Sequence, residues 1–316
     1  MGQRLKKLGC YILIIILLPY VVTVFINGPS SVSSSQVDST DIRVKTEAGE
    51  IQMPIEEYCI GILAKEIPAD YEEEALKAQA VLVRTDIYEK LQSGGTGTAL
   101  EEEFWDREQM EEAWGMSGYS RNYKKLQKAW EATEGQVLTY EENLAKTPFF
   151  RLSNGSTRDG KEVLGEEYPY LKIADCPLDI EAPEQIQTVT IDALDAEVTK
   201  SDTAGYVLSV RVGEETVSGE EFRETYHLAS SCFTLQKYNG KVRITTRGVG
   251  HGLGMSQYTA GKMAEENNTF EEILAYFFPG TKIKEVADIV QSEEAGEESQ
   301  ESAGKAAADG CKRFAS

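Results

Sequence analysis

The sequence predicts an α+β fold: helices around a largely antiparallel β middle, in one large domain or a two-lobed one, preceded by one transmembrane helix. Three observations predict it. Residues 9–26, GCYILIIILLPYVVTVFI, form 18 uncharged and mostly apolar positions, long enough to span a bilayer. Apolar residues recur at helical spacing on both sides of the middle, around 55–63, 76–87 and 270–277. The middle instead carries short β-branched and aromatic runs joined by short links, the pattern of antiparallel strands.

Arg4, Lys6 and Lys7 precede the apolar run, which places the N-terminus in the cytoplasm and the remainder outside. No small-x-small site follows, so an uncleaved anchor is expected over a removed signal peptide. Residues 1–27 are thus a cytoplasmic stub and transmembrane anchor, and 28–41, GPSSVSSSQVDSTD, a polar linker. The folded domain is expected over 42–290. Residues 291–316 form an acidic tail expected to be disordered.

Within the domain, IEEYCIGILAKEIP places Ile55, Tyr58, Cys59, Ile62 and Leu63 on one helical face, ended by Pro68. Four residues beyond Ile62 lies Glu66, a carboxylate at the edge of that face in the last turn. Asp70 and Glu73 then suggest a capping box for a second helix, whose stripe Leu76, Ala80, Val83 and Ile87 stops at Gly94. Residues 99–133 read as an irregular helix with its best stripe at Leu126, Trp130 and Thr133. QVLTY at 136–140 reads as a strand, as do 187–191, 206–212 and 241–246. SGEEFRETYHL carries a Ser218 to Glu221 capping box before a short helix, and Met255, Tyr258, Thr259 and Met263 stand at helical spacing. Thr269 and Glu272 cap a last helix through Phe270, Ile273, Leu274 and Phe277, stopped by Pro279 and Gly280.

The formal charge of −21 argues against nucleic acid, which selects basic surfaces. Cysteines at 10, 59, 176, 232 and 311 show no C-x-x-C spacing, so zinc ribbons and disulfide frameworks are poorly supported, with a single Cys176 to Cys232 bridge left open. Two histidines, His227 and His251, do not make a multi-histidine zinc site, although mixed ligand sets stay open. No cofactor and no metal are expected.

The run RGVGHGLGMSQY at 247–258 has glycine at 248, 250, 252 and 254. In an extended backbone these would leave one face bare, open to close approach, with Arg247, Val249, His251, Leu253 and Met255 on the other. The run lacks the third glycine of G-x-G-x-x-G and the P-loop lysine, so nucleotide binding is unsupported. His251 alone reads equally well as a structural hydrogen-bonding group. Glu66 could be an ordinary solvated helix-end carboxylate, but an apolar surround and the negative end of a helix dipole both push its pKa up toward that of a general acid. Lys65 and Arg84 oppose that shift.

These residues carry a family resemblance. EEYCIGILAKEIPADYEEEALKAQAVLVRT, EGQVLTY, SNGST, YPYLKIAD, SGEEFR, TRGVGHGLGMSQYTAGKMA and ILAYFFPGT, in order from about 55 to 284, resemble the stage II sporulation protein D family. The resemblance implies a lytic transglycosylase that cuts peptidoglycan glycan strands between N-acetylmuramic acid and N-acetylglucosamine, with a role in sporulation at engulfment. The family's catalytic glutamate, in A-x-E-x-P, matches Glu66. Its glutamine and arginine match Gln79 and Arg84, and its H-G-x-G-M-S-Q-Y run places His251, Ser256, Gln257 and Tyr258 with the substrate, together with Ser153 of the SNGST turn. One carboxylate suffices because the muramic acid's own C6 hydroxyl can replace the nucleophile that ordinary glycosidases need. Implied partners are peptide-stripped glycan strands, a cell-wall amidase and a membrane protein of the engulfment machinery. The family also contains amidase enhancers, so a non-catalytic cell-wall protein is the alternative. Arg151 stands where the family commonly has histidine, which weakens any zinc site, and 99–121 match nothing in the family pattern.

Overall fold

A computed structural model of the protein describes residues 41–95 and 98–289. The segments expected as a transmembrane anchor, a linker up to residue 40 and an acidic tail lie outside the described residues. Among the described residues, no helix is long and apolar enough to cross a membrane. All of them belong to one compact unit.

The fold opens with a hairpin absent from the sequence reading, β1 (Asp41–Thr46) against β2 (Gly49–Pro54), paired from Asp41 with Pro54 to Thr46 with Gly49. Polar residues at most positions hide it, since only Ile42 and Val44 of β1 are buried. Helix α1 (Ile55–Glu66) follows directly and buries every residue from Tyr58 to Ala64. Helix α2 (Glu73–Gly94) starts where expected, but not by the Asp70 and Glu73 capping box: its N-cap is Glu72, with no side-chain cap. A turn in which the Tyr71 N–H donates to the Pro68 carbonyl comes between, and Glu73 instead pairs with Lys77 and Lys128.

Strand β3 (Ala99–Leu100) joins β1 in parallel, and helix α3 (Arg107–Ala132) begins at a capping box made by Asp106 and Gln109. The expected helix over 99–133 is therefore shorter at its front. Its irregularity has a cause, a kink at Gly115 with φ of 68°.

The β middle is as predicted in class and richer in number. Strand β4 (Gln136–Tyr140) pairs with β5 (Asn143–Leu144), and β6 (Phe149–Phe150) lies beyond a short link before the one-turn helix α4 (Gly160–Val163). Strand β7 (Ile186–Asp192) is followed by β8 (Ala196–Ser201), β9 (Val207–Val212) and β10 (Glu215–Ser218). Helix α5 (Gly219–Thr225) is capped by the Ser218 hydroxyl accepting from the Glu221 N–H. Strands β11 (Phe233–Tyr238) and β12 (Lys241–Arg247) complete two antiparallel sheets, ordered β10-β9-β8 and β11-β12-β7. Strand β13 (Met255–Ser256), helix α6 (Gln257–Glu265), helix α7 (Phe270–Phe277), with the full Thr269 and Glu272 capping box, and β14 (Lys282–Glu285) follow, and a helical turn over 286–289 ends the described residues. Strand β14 returns to β4 in antiparallel register.

Three larger apolar cores organise these elements, with a small fourth cluster of Val137, Val286 and Ile289 among the described residues. The first packs α1, β1 and α3 against one face of α2, through Leu76, Ala80, Val83 and Ile87. The second uses the other side of α2, Ala75, Ala78, Val81 and Leu82, against α6, α7 and Met255. Helix α2 is thus sandwiched, and a fully buried leucine on either side contributes about 1.5–3 kcal/mol. The third core lies between the two larger sheets and α5, around Val210, Phe222 and Ile244.

The glycine run corrects the reading of an extended strand. Gly248, Gly250, Gly252 and Gly254 have φ of 77°, 104°, 79° and 80°, a left-handed backbone that glycine adopts readily. The run threads past residues 148–153, with the Val249 N–H donating to the Leu152 carbonyl at 2.7 Å. A β-carbon on Gly254 would sit 2.0 Å from the Pro148 carbonyl oxygen. Close approach is the reason for the glycines, and the neighbour is the protein itself. The open bridge is also resolved: Cys176 and Cys232 are separate buried free thiols, hydrogen-bonded to the backbone carbonyls of Ala174 and Gly205.

Candidate functional site

Glu66 is the last residue of α1, where the Ile67 N–H closes the helix on the Leu63 carbonyl and turns extended. That ending aims Glu66 into a groove of about 300 Å³ walled by Ile62 and Lys65 of α1, Val83, Asp86 and Ile87 of α2, Glu102, Glu103 and Phe149. The side chain is exposed as a whole, yet the walls crowd its carboxylate. Desolvation raises its pKa, Lys65 pulls the other way, and Glu103 adds to the rise. Arg84 takes no part in this balance.

The other acidic residues of the groove are neutralised. Lys90 bridges Asp86 and Glu102, at 2.5 Å each. Burial works to raise the Glu102 pKa, but the hydrogen bond and charge of Lys90 outweigh it and hold the group low. Glu103 is held low by its hydrogen bond and ion pair with Lys65. Glu66 has no such partner among the described residues.

A polar relay connects this helix end to the start of α6. The Gln257 side-chain amide donates to the Glu66 backbone carbonyl at 3.0 Å and to the Gln79 side-chain oxygen at 3.2 Å. Gln79 and Gln257 are both buried, so they hold the Glu66 backbone from behind. The relay joins residues predicted separately from two distant motifs.

The remaining expected substrate residues occupy other places. Arg84 is fully buried and stacks over Trp130, with its guanidinium 3.6 Å from the ring centre. It donates to the carbonyls of Trp130 and Thr133, satisfying the open C-terminal end of α3. Ser153 and Ser256 converge on Asp179, which the sequence reading missed. Asp179 is fully buried in a 3-10 turn over Pro177–Glu181. It accepts the Ser153 N–H at 2.7 Å, the Ser256 hydroxyl at 2.7 Å and the Thr259 hydroxyl at 2.6 Å. Nothing in the spacing around it signals that role.

His251 is held inside the glycine run, its Nδ1 accepting the Leu253 N–H at 3.1 Å. Burial lowers its pKa to about 4, with Arg223 and Arg158 adding to the fall against Glu220, so the imidazole is neutral near pH 7. Its carbonyl accepts from Arg158, a buried guanidinium that also pairs with Asp202 at 2.6 Å and Glu220 at 2.8 Å. Tyr258 is half-buried, and its N–H donates to the Arg151 carbonyl. Arg151 donates from its guanidinium to the Tyr71 hydroxyl. Among the described residues, no cluster of three or more His, Cys, Asp or Glu side chains is arranged to hold a metal ion.

Of the expected residues, the structure therefore brings Glu66, Gln79 and Gln257 together, and links Ser153 with Ser256 through Asp179. Asp86, Glu102, Glu103 and Phe149 join the groove only through folding.

Comparison with known proteins bears on the same residues. Residues 46–140 match the family model described as Stage II sporulation protein, so 99–121, expected to lie outside the family pattern, fall inside the match. The chain is 32% identical to a stage II sporulation protein D of Bacillus amyloliquefaciens, over 74% of this chain and 75% of the relative. It is 31% identical to a stage II sporulation protein D of Bacillus subtilis, over 82% of each. An amidase enhancer of Bacillus subtilis is 26% identical over 71% of this chain and 40% of its own length. With the matched model spanning the Glu66 groove helices and two relatives covering most of the fold, the chain belongs to the stage II sporulation protein D family.

Proposed function

We propose that this chain is a lytic transglycosylase of peptidoglycan, acting outside the cytoplasm and anchored by residues 9–26, with Glu66 as its acid and base. One observation carries the reading: among the groove's carboxylates Glu66 alone lacks a cationic partner in the described residues and has a raised pKa, while Lys90 and Lys65 hold Glu102 and Glu103 low. Environments that push neighbouring carboxyls apart in this way separate a proton donor from structural anions.

Protonated Glu66 donates to the glycosidic oxygen as the C1–O bond of the muramic acid breaks. The C6 hydroxyl of the same sugar closes on C1, and its proton passes to the Glu66 carboxylate. The products are a 1,6-anhydro sugar and a free 4-hydroxyl on the leaving strand, and Glu66 ends protonated as it began. The Gln257 and Gln79 relay fixes the helix end on which this proton transfer depends, where misplacement by about 1 Å costs on the order of a hundredfold in rate.

Mass analysis of peptide-stripped glycan strands after incubation with the full chain tests the reading. Anhydro-muramic ends should accumulate with the parent and be absent with Glu66→Gln. Their appearance with a natively folded Glu66→Gln variant would assign the acid elsewhere. The likeness to an amidase enhancer supports a second reading, a non-catalytic stimulator of a partner amidase. It predicts no anhydro ends from the parent and a raised amidase rate on intact walls.

A further inference from the structure

We infer that the large cleft beside the Glu66 groove is a second glycan-binding region, which holds the sugar rings of the strand beyond the scissile bond. The inference rests on the transglycosylase reading and adds a site to it. The cleft has a volume of about 1240 Å³ and shares Lys65, Glu102 and Glu103 with the groove. That exceeds the roughly 300–1,000 Å³ of an ordinary small-molecule pocket. It suits a polymer that continues past the reacting sugar.

Its walls have the chemistry of a carbohydrate platform. Trp105, Tyr119 and Tyr123 line it and are each half-buried, packed on the first core with part of each side chain exposed, and Arg107 of the same wall lies 5.4 Å from the Tyr119 ring centre. Tyr119 and Tyr123 lie four residues apart on α3, beyond the Gly115 kink, with ring centres 5.6 Å apart. Among the described residues neither hydroxyl makes a hydrogen bond, so both are available to sugar hydroxyls. Aromatic faces bury the C–H faces of sugar rings while the rim stays polar. The cleft is built by the β1-β2 hairpin, Glu57 and Lys65 of α1, and residues 101–123.

The charged groups narrow the ligand. Lys45 is paired with Glu101 and Lys65 with Glu103, whereas Glu57 lines the cleft without a cation partner among the described residues. The surplus is acidic, which disfavours dense anionic polymers such as nucleic acid or a polyphosphate. A peptide-stripped glycan carries only one carboxylate per disaccharide, on the lactyl group of the muramic acid, and stacking on its uncharged ring faces, with hydrogen bonds to the sugar hydroxyls, is the recognition that remains.

Binding of peptide-stripped glycan to the full chain carrying Glu66→Gln separates this inference from the reading beneath it, because no cleavage is needed. Long strands should bind more tightly than the disaccharide. Adding Tyr119→Ala and Tyr123→Ala should weaken long-strand binding about tenfold while leaving disaccharide binding unchanged. Equal long-strand affinity with and without the two alanines overturns the second region alone. Failure of every glycan to bind a natively folded chain overturns both readings. Should the alanine pair shift the melting transition, tryptophan emission of the Glu66→Gln chain decides instead. Trp105 and its ring partner Trp114 should report saturating long strands and not the disaccharide, and an emission that no strand moves refutes the inference.

Discussion

Gly252→Ala should cost far more stability than an alanine placed in the same backbone conformation elsewhere. Gly252 has φ of 79° and Gly213, in the turn between β9 and β10, has φ of 60°. Forcing a residue with a β-carbon into the left-handed region costs about 1–2 kcal/mol at either position. The surroundings differ. A β-carbon on Gly213 would meet nothing within 4 Å, whereas one on Gly252 would fall 2.3 Å from Cζ of Tyr206. Tyr206 has little room to retreat: it is fully buried, its hydroxyl accepts the Asn154 N–H at 3.2 Å, and Arg158 lies 5.1 Å from its ring centre. Overpacking of that kind adds about 1–3 kcal/mol. The expected totals are about 1–2 kcal/mol for Gly213→Ala and about 2–5 kcal/mol for Gly252→Ala. Chemical denaturation read by circular dichroism measures both, with stabilities compared at a common slope. If the two variants agree within about 0.5 kcal/mol, the close approach of Tyr206 does not explain the glycine, and backbone conformation alone does.

The raised pKa of Glu66 gives a pH-dependent stability. A group whose folded pKa exceeds its unfolded value adds stability that is complete below the unfolded value, near 4.3, and is lost as pH rises through the folded one. Glu66→Gln should therefore gain on the parent across that window and stay ahead above it, and denaturation at a series of pH values showing no such gain would refute the desolvated carboxyl. Asp179→Ala orphans the Ser153 N–H and two buried hydroxyls, at about 1–3 kcal/mol for each group left unmade, and an unchanged thermal midpoint would show the hub to be dispensable. Arg84→Lys loses the planar fork over Trp130 and the α3 carbonyls, an expected loss of about 2 kcal/mol. Strand affinity of the folded Arg84→Lys variant should match the parent, and a selective loss of affinity would return Arg84 to the substrate.

Local signals determined much of this protein before any fold was known. Glu66 follows the apolar stripe of α1 by helical spacing alone, and the Thr269 and Glu272 capping box forms as written, because both depend on contacts within one or two turns. The Asp70 and Glu73 box failed for an equally local reason, a turn at Pro68–Tyr71 that its pattern does not encode. The family resemblance singled out Gln79 and Gln257 as expected substrate residues without saying what each touches. Tertiary structure decided that: the Gln257 amide reaches the Glu66 carbonyl across 191 residues of sequence. It also turned Arg84 from an apparent substrate residue into a helix-end anchor, drew Asp179 under two serines, and set the glycines against Pro148 and Tyr206 rather than a sugar. Residue spacing carries the period of a helix or a strand, but not which distant segment will lie against it. Identity of the groove walls, and with it the contrast between Glu66 and its paired neighbours, arises only when packing of the apolar faces of α1, α2 and α3 brings Lys90 and Lys65 to Glu102 and Glu103.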